Sequence, residues 1–299
     1  MNLQEQFVQF YEQSGYTQPQ LARAIGVSSA SVNMYVNGKY EAHGGNLATI
    51  EKKVAAFLAR EAAKKSEAKL DIRFVAIRTA ARVAEVMRSA HLEGEVAVVY
   101  GQAGLGKTMA LKQYCADNPD AVLIEADPSF TAQVLLRHIA RAIGANPTGT
   151  MHELFEAVVE RLQDSGRLLV VDEAELLQLR ALECLRRIHD KAGVGLVLAG
   201  MPKLLVNLRG KRGELVQLYS RVALALNLGE TLPDNELEML AAAALPDADA
   251  DTLAALVASA QGNTRRLTKM MHGVVRTARL NNMAVNAEIV KKYSKMIIR

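Results

Sequence analysis

Val96-Ala-Val-Val-Tyr100 running into Gly101-Gln102-Ala103-Gly104-Leu105-Gly106-Lys107-Thr108-Met109 decides the fold of this chain. The second stretch matches G-x-x-x-x-G-K-[ST] in full. Its glycines let the backbone curl so that several N–H groups point inward at phosphate oxygens. Lys107 is placed to reach the β- and γ-phosphates of ATP, and Thr108 to offer its hydroxyl to Mg²⁺. A helix running on from Met109 to Tyr114 aims its positive end at the same anion. A plain glycine-rich turn is the alternative. The apolar run before the loop and the helix after it supply the strand–loop–helix setting that the phosphate-binding reading requires.

Working outward, Leu168-Leu-Val-Val171 is a second apolar run, and it ends on Asp172 and Glu173 about 65 residues beyond the loop. Asp172 is expected to hold Mg²⁺, and Glu173 to orient and deprotonate an attacking water. An acidic cap for a helix over Leu176–His189 is the other reading. Val122–Ala126, Val194–Ala199 and Val222–Asn227 complete five strand-like runs separated by long helical patterns. Apolar runs alternating with helices predict an α/β fold, a parallel five-stranded sheet between helices.

The 299 residues suffice for more than one domain. We divide them into a helical segment 1–60, a charged Ala-rich linker 61–73, the α/β core 74–230 and an all-helical segment 231–299. Pro233-Asp234 opens a helix in the last segment, Pro246-Asp247 breaks it and Gly262 punctuates the next pair. The two cysteines, Cys115 and Cys184, form no CxxC pair and the six histidines are scattered, which predicts no structural metal site and a reducing compartment. The start of the chain lacks a signal pattern, and no apolar run approaches the ~18 residues of a membrane span. A cytoplasmic protein with no membrane contact is expected. From Thr264 onward nine basic residues (Arg265, Arg266, Lys269, Arg276, Arg279, Lys291, Lys292, Lys295, Arg299) face one acid, Glu288. A polyanion partner or a solvated helix face accounts for them equally.

The paired acids and the helical C-terminal segment resemble the AAA+ class of phosphate-loop ATPases. In that class an arginine at the start of a lid helix senses the γ-phosphate. Gly262-Asn-Thr-Arg265-Arg266-Leu267 resembles that region, with Arg265 the better match and Arg266 the fallback. A helix start with exposed basic residues is the plainer alternative. The resemblance also implies a trans-acting arginine before the last core strand. Arg221 is the first candidate, with Arg212 and Arg209 behind it, and contact with DNA phosphate is an equal alternative for this stretch. One departure stands out. The class places a polar residue at the end of the fourth strand, where this chain reads Leu198-Ala199-Gly200-Met201-Pro202. Slow ATP turnover is therefore expected.

Asp172-Glu-Ala-Glu-Leu-Leu, the helix that follows and Val194–Pro202 resemble the Mu B-type transposition ATPases in particular. That resemblance implies ATP-dependent, largely sequence-tolerant binding of double-stranded DNA, self-assembly into a helical filament, delivery of the DNA to a transposase, and release on hydrolysis. Arg186, Arg187 and Lys191, with the C-terminal cluster, are candidates for gripping phosphates. A helicase loader of the IstB/DnaC type and a transcription regulator with an ATPase switch are the alternatives. Near the N-terminus, Gln18-Pro-Gln-Leu-Ala22-Arg-Ala-Ile-Gly26-Val-Ser28-Ser29-Ala-Ser31-Val32-Asn33-Met-Tyr35 resembles the helix-turn-helix of phage-repressor-like proteins. Ala22 is small where two helices cross, Gly26 makes the turn, and Val32 and Tyr35 anchor the second helix. Ser28 caps that helix, Ser29, Ser31 and Asn33 are expected to face the major groove, and Gln18 to lie near a phosphate. A helical bundle for protein contacts is the alternative. A Ser/Asn surface suits weak, sequence-tolerant DNA contact more than tight base readout.

Overall fold

Val96, Val98, Leu169, Val171, Leu196 and Leu198 face one side of a sheet, and their chain neighbours Ala97, Val99, Leu168, Val170, Val197 and Ala199 face the other. Successive side chains on a strand point to opposite faces, so uninterrupted apolar strands need cover on both sides. The computed structural model describes residues 2–42, 44–66, 70, 72–210 and 215–297, and it shows that cover. Arg212 and Arg299 lie outside the described residues.

The order is α1 (Leu3–Ser14), α2 (Gln18–Ile25), α3 (Ser29–Val36), α4 (Leu47–Ser66), α5 (Arg78–Glu93), β1 (Val96–Tyr100), α6 (Lys107–Asp117), β2 (Ala121–Glu125), α7 (Ala132–Ile143) and α8 (Met151–Leu162). There follow β3 (Leu168–Asp172), a 3-10 turn at Ala174–Leu176, α9 (Leu179–Ala192), β4 (Gly195–Gly200), α10 (Lys203–Arg209), α11 (Val216–Tyr219) and β5 (Val222–Asn227). Four helices end the chain: α12 (Asp234–Ala244), α13 (Ala250–Ala260), α14 (Thr264–Leu280) and α15 (Ala287–Ser294).

The chain divides into two compact units, Met1–Lys69 and Leu70–Arg299. In the first, Phe7, Leu21, Ile25, Val32, Tyr35, Ile50, Val54 and Phe57 form the core. Phe57 packs nearly perpendicular to the rings of Phe7 and Phe10. Ala22 is buried where α2 meets its neighbours, and Ser28 caps α3 by accepting from the Ser31 N–H. α4 continues to Ser66, so residues 61–66 of the segment assigned to a linker are helical.

In the second unit the sheet is wholly parallel, in the order β2-β3-β4-β1-β5. α7, α8 and α9 cover one face. α5 and α6 cover the other, and buried residues of α12 to α15, among them Leu237, Leu256, Met270, Val274 and Val290, belong to that same apolar cluster. The C-terminal helices thus share a core with the sheet. The helices leaving β1 and β3 lie on opposite faces, which opens a crevice at the carboxyl ends of the strands. Three strands differ by one residue from the sequence expectation: β2 is shifted back to Ala121–Glu125, β3 runs on to Asp172, and β4 is shifted forward to Gly195–Gly200. The helix expected over Leu176–His189 is broken at Leu177-Gln178, with a 3-10 turn before it and α9 after. Among the described residues no helix is long and apolar enough to cross a membrane.

Candidate nucleotide-binding site

The loop between β1 and α6 is fixed at both ends by backbone. Gly101 N–H donates to the Gly200 carbonyl at 3.3 Å, and Gln102 N–H to the Gly229 carbonyl at 3.1 Å. Leu105 is buried as an apolar peg while Ala103 is exposed. Gly104 and Gly106 adopt φ +82° and +83°, a left-handed conformation that L side chains resist. α6 starts at Lys107, two residues before the expected Met109, so the helix terminus points straight at the loop. The buried Lys107 Nζ donates to the carbonyls of Gly101 (2.7 Å) and Gln102 (2.8 Å). Burial pushes its ammonium below the ordinary lysine range, and the charge of Asp172 opposes that shift most strongly. A cation held by neutral carbonyls in a shielded site gains greatly from an arriving phosphate.

Thr108 Oγ1 donates to Asp172 Oδ2 at 2.6 Å, which brings together the hydroxyl and the carboxylate assigned to Mg²⁺. Asp172 is 2% exposed, and its other oxygen accepts the Glu173 N–H at 2.9 Å. A hydroxyl and a carboxylate in contact are hard oxygen donors, the set that fits Mg²⁺ with its remaining positions left to water and phosphate. Glu173 is exposed and takes φ +54°, a costly conformation for a glutamate that turns the chain away from β3.

Three features of the site were missed in the sequence. The first is Glu175, whose Oε2 is buried with no hydrogen-bond partner among the described residues. A Cβ at Gly200 would lie 2.0 Å from that oxygen. The point at the end of β4 that lacks a polar side chain of its own is thus filled by a carboxylate from beyond β3. The second is the docking of α14 on the phosphate loop. Asn263 Nδ2 donates to the Ala103 carbonyl at 3.0 Å, and the Thr264 N–H and hydroxyl donate to the Gly104 carbonyl at 2.8 and 2.9 Å. One residue on, exposed Arg265 makes its charge felt at Lys107, whereas half-buried Arg266 is bonded to Gln261 at 2.8 Å. The third is an apolar cavity of about 120 Å³ beside Gly106, lined by Phe74, Val75, Ile77, Leu105, Met109, Leu240, Leu267 and Met271 among others. Met109 belongs to this cavity wall. Thr79, also on the wall, donates its N–H to the buried Glu236 carboxylate of α12 at 3.2 Å. A flat heterocycle fits such a place.

The other sequence candidates are elsewhere. Arg186 is only 12% exposed, and its guanidinium is shared between Glu183 (2.6 Å) and Asp190. Both sides of the group are occupied by carboxylates of its own helix, so a DNA phosphate would have to compete with them. Arg187 and Lys191 are exposed and paired with Glu183 and Glu156. Arg221 bonds Asp190 at 3.0 Å, on α9 rather than at the loop of its own chain. In the first unit Ser29 and Asn33 are exposed, Ser31 is tied to Ser28 at 2.8 Å, and Gln18 reaches Asn33 at 3.5 Å.

A parallel sheet in this order, its phosphate loop facing paired acids and its lid docked on that loop, defines a phosphate-loop NTPase core of the AAA class, and a separate helix-turn-helix unit precedes it. The AAA domain family matches residues 91–208 and the helix-turn-helix family residues 9–53. Over 239 residues the chain is 32% identical to the Mu-like prophage FluMu DNA transposition protein B of Haemophilus influenzae, covering 77% of this chain and 81% of that one. It is 30% identical over 217 residues to the ATP-dependent target DNA activator B of Escherichia phage Mu, covering 71% and 68%. The chain belongs to this family of Mu-type transposition B proteins. The fold is also that of the Aeropyrum pernix ORC2 protein (18% identity, 77% and 72% covered, TM-score 0.60) and of domain III of Thermotoga maritima DnaA (16%, 74% and 93%, TM-score 0.52).

Proposed function

We propose that this chain is an ATPase that binds and assembles on target DNA in its ATP state, presents that DNA to a transposase and leaves it after hydrolysis. The observation that carries the reading is the Thr108–Asp172 contact of 2.6 Å beside a buried Lys107 on the loop carbonyls. Lys107 binds the phosphates, Thr108 and Asp172 hold Mg²⁺, the cavity at Met109 and Leu267 takes the base, and Glu173 accepts a proton from the attacking water. Bound Mg²⁺ would neutralise charge developing on the phosphates. Arg265 on the lid faces the same phosphates and couples lid position to nucleotide state.

Arg221 serves a neighbouring subunit rather than its own. A site on one surface completed by an arginine on another makes a head-to-tail interface, which builds an open helix when the rotation does not close. Arg187, Lys191 and the basic C-terminal helices grip phosphates, and α3 adds contacts with little base preference through Ser29, Ser31 and Asn33. The carboxylate at Gly200 accepts hydrogen bonds and cannot donate one to a γ-phosphate, so slow turnover without partners remains expected. Electron microscopy with random duplex DNA is the direct test. Filaments with ATP and none with ADP are expected; Lys107→Ala should abolish them, and Glu173→Gln should keep them and resist release. Protection of one specific site, or binding indifferent to nucleotide, would overturn the reading.

A further inference from the structure

The Glu175 carboxylate is the unexplained group of this site. Its Oε2 is buried without a hydrogen-bond partner among the described residues, a costly arrangement for an acceptor and more so for a charged one. Its placement is built. The 3-10 turn at Ala174–Leu176 carries it, and Asn207 of α10 donates to its backbone carbonyl at 3.0 Å. Gly200 leaves the space into which the carboxylate projects. Gly200 is also the residue whose carbonyl accepts from Gly101, the first residue of the phosphate loop. The oxygen therefore lies at the carboxyl end of β4, between the phosphate loop on β1 and the paired acids at the end of β3.

We propose that Glu175 is a second water-holding carboxylate of the hydrolytic reaction. It accepts a hydrogen bond from one O–H of the attacking water while Glu173 takes the proton of the other. The water oxygen forms a bond to the γ-phosphorus, the bond from that phosphorus to the β–γ bridging oxygen breaks with its electron pair leaving on ADP, and the proton lost by the water passes to Glu173. Glu175 gains no proton. It fixes where the water stands, and the arriving donor satisfies its buried oxygen. The geometry favours this over a packing role. Gly200, whose carbonyl holds the first residue of the phosphate loop, also opens the room that the unbonded carboxylate fills, and packing alone leaves such an acceptor uncompensated.

The inference rests on the ATPase reading, and the experiment separates the two. Single-turnover hydrolysis, affinity for ADP and for ADP–aluminium fluoride, and apo melting temperature are measured for Glu175→Ala, Glu175→Gln, Gly200→Ala and the double variant Glu175→Ala/Gly200→Ala. Expected for Glu175→Ala are a rate loss of ten-fold or more, an equal loss of preference for ADP–aluminium fluoride over ADP, unchanged ADP affinity, and an apo melting temperature at or above wild type. Glu175→Gln keeps an acceptor and should retain the rate within about three-fold. Gly200→Ala should match Glu175→Ala by evicting the carboxylate, and the double variant should lose no more than either single one. Wild-type rates in Glu175→Ala, a fall in its ADP affinity or melting temperature, additive losses in the double variant, or Glu175→Gln as slow as Glu175→Ala would each overturn the proposal. Failure of the wild-type protein to bind nucleotide would instead sink the ATPase reading.

Discussion

Gly104 carries two constraints at once. Its φ of +82° excludes an L side chain without strain, and a Cβ there would stand 2.2 Å from Asn263 Oδ1. Gly104→Ala must therefore distort the loop and push α14 off it together. Nucleotide affinity is expected to fall ten-fold or more, about 1.4 kcal/mol, with little change in melting temperature. Asn263→Ala removes the lid's hold on the Ala103 carbonyl and the cap that its Oδ1 gives α14 by accepting the Arg266 N–H at 3.0 Å, but leaves the loop backbone alone, and should cost nucleotide affinity less, about 1 kcal/mol. Titration with a fluorescent ATP analogue ranks the two, and equal losses would deny the separate contribution of the backbone. The loop residues proposed to bind phosphate were legible in the sequence because the loop and its helix are local in the chain and chemically constrained. Asn263, Thr264 and Glu175 were not, since their roles come from contacts made through the fold, 160 residues away for the first two. Gly200 was the one available hint: a glycine at the end of a buried strand often marks a close approach by something else.

At the scale of elements, α9 shows a helix that neutralises its own cations. Glu183 receives Arg186 and Arg187, while Asp190 receives Arg186 and Arg221. Three of these pairs are spaced by three or four residues along the helix, so the sequence did contain the signal that Arg186 has partners nearby. The hydrogen bond from Arg186 holds the Glu183 carboxyl down at about 2, opposed by partial burial. An unfolded chain regains the ordinary value of about 4.3 and binds a proton that the folded chain refuses. The contribution is thus fully present above about pH 4.5 and is lost as pH falls toward 2. Glu183→Gln should lower the melting temperature at pH 7 and converge on wild type near pH 2. Because the side chain is 34% exposed, the difference should be modest and shrink with salt. Four of the five strands were legible for the opposite reason: β1 to β4 are short apolar runs largely buried in the sheet, a pattern that burial imposes on composition, whereas β5 is an apolar run at the sheet edge that the described structure leaves mostly exposed. The break between the 3-10 turn and α9 was not, because it depends on a left-handed Glu173 that no propensity favours.

For the whole molecule, the net charge of +4 conceals a strong asymmetry. Residues 1–69 hold eight Lys/Arg and six Asp/Glu, for +2; residues 264–299 hold nine and one, for +8; the remaining 19 basic and 25 acidic residues give −6. The cations able to meet a polyanion without repulsion from nearby acids are therefore concentrated in the C-terminal helices, not in the helix-turn-helix unit. The α3 face adds hydroxyls and amides, which release no counterions. Affinity for duplex should then depend on both units, but its response to salt should come mainly from the second. The 70–299 chain, which has its own apolar core and the full phosphate loop, is expected to bind nucleotide normally and duplex more weakly, with a nearly unchanged slope of log affinity against log salt. Lys269→Gln/Lys291→Gln/Lys295→Gln in the full chain should lower that slope by roughly 2.7, at about 0.9 for each DNA phosphate that no longer meets a lysine. Fluorescence anisotropy with a random duplex between 50 and 200 mM salt, with ATP present throughout, measures both. A slope that falls on removing residues 1–69 and survives the triple substitution would move the phosphate grip to the N-terminal unit and leave the C-terminal charges as a solvated face.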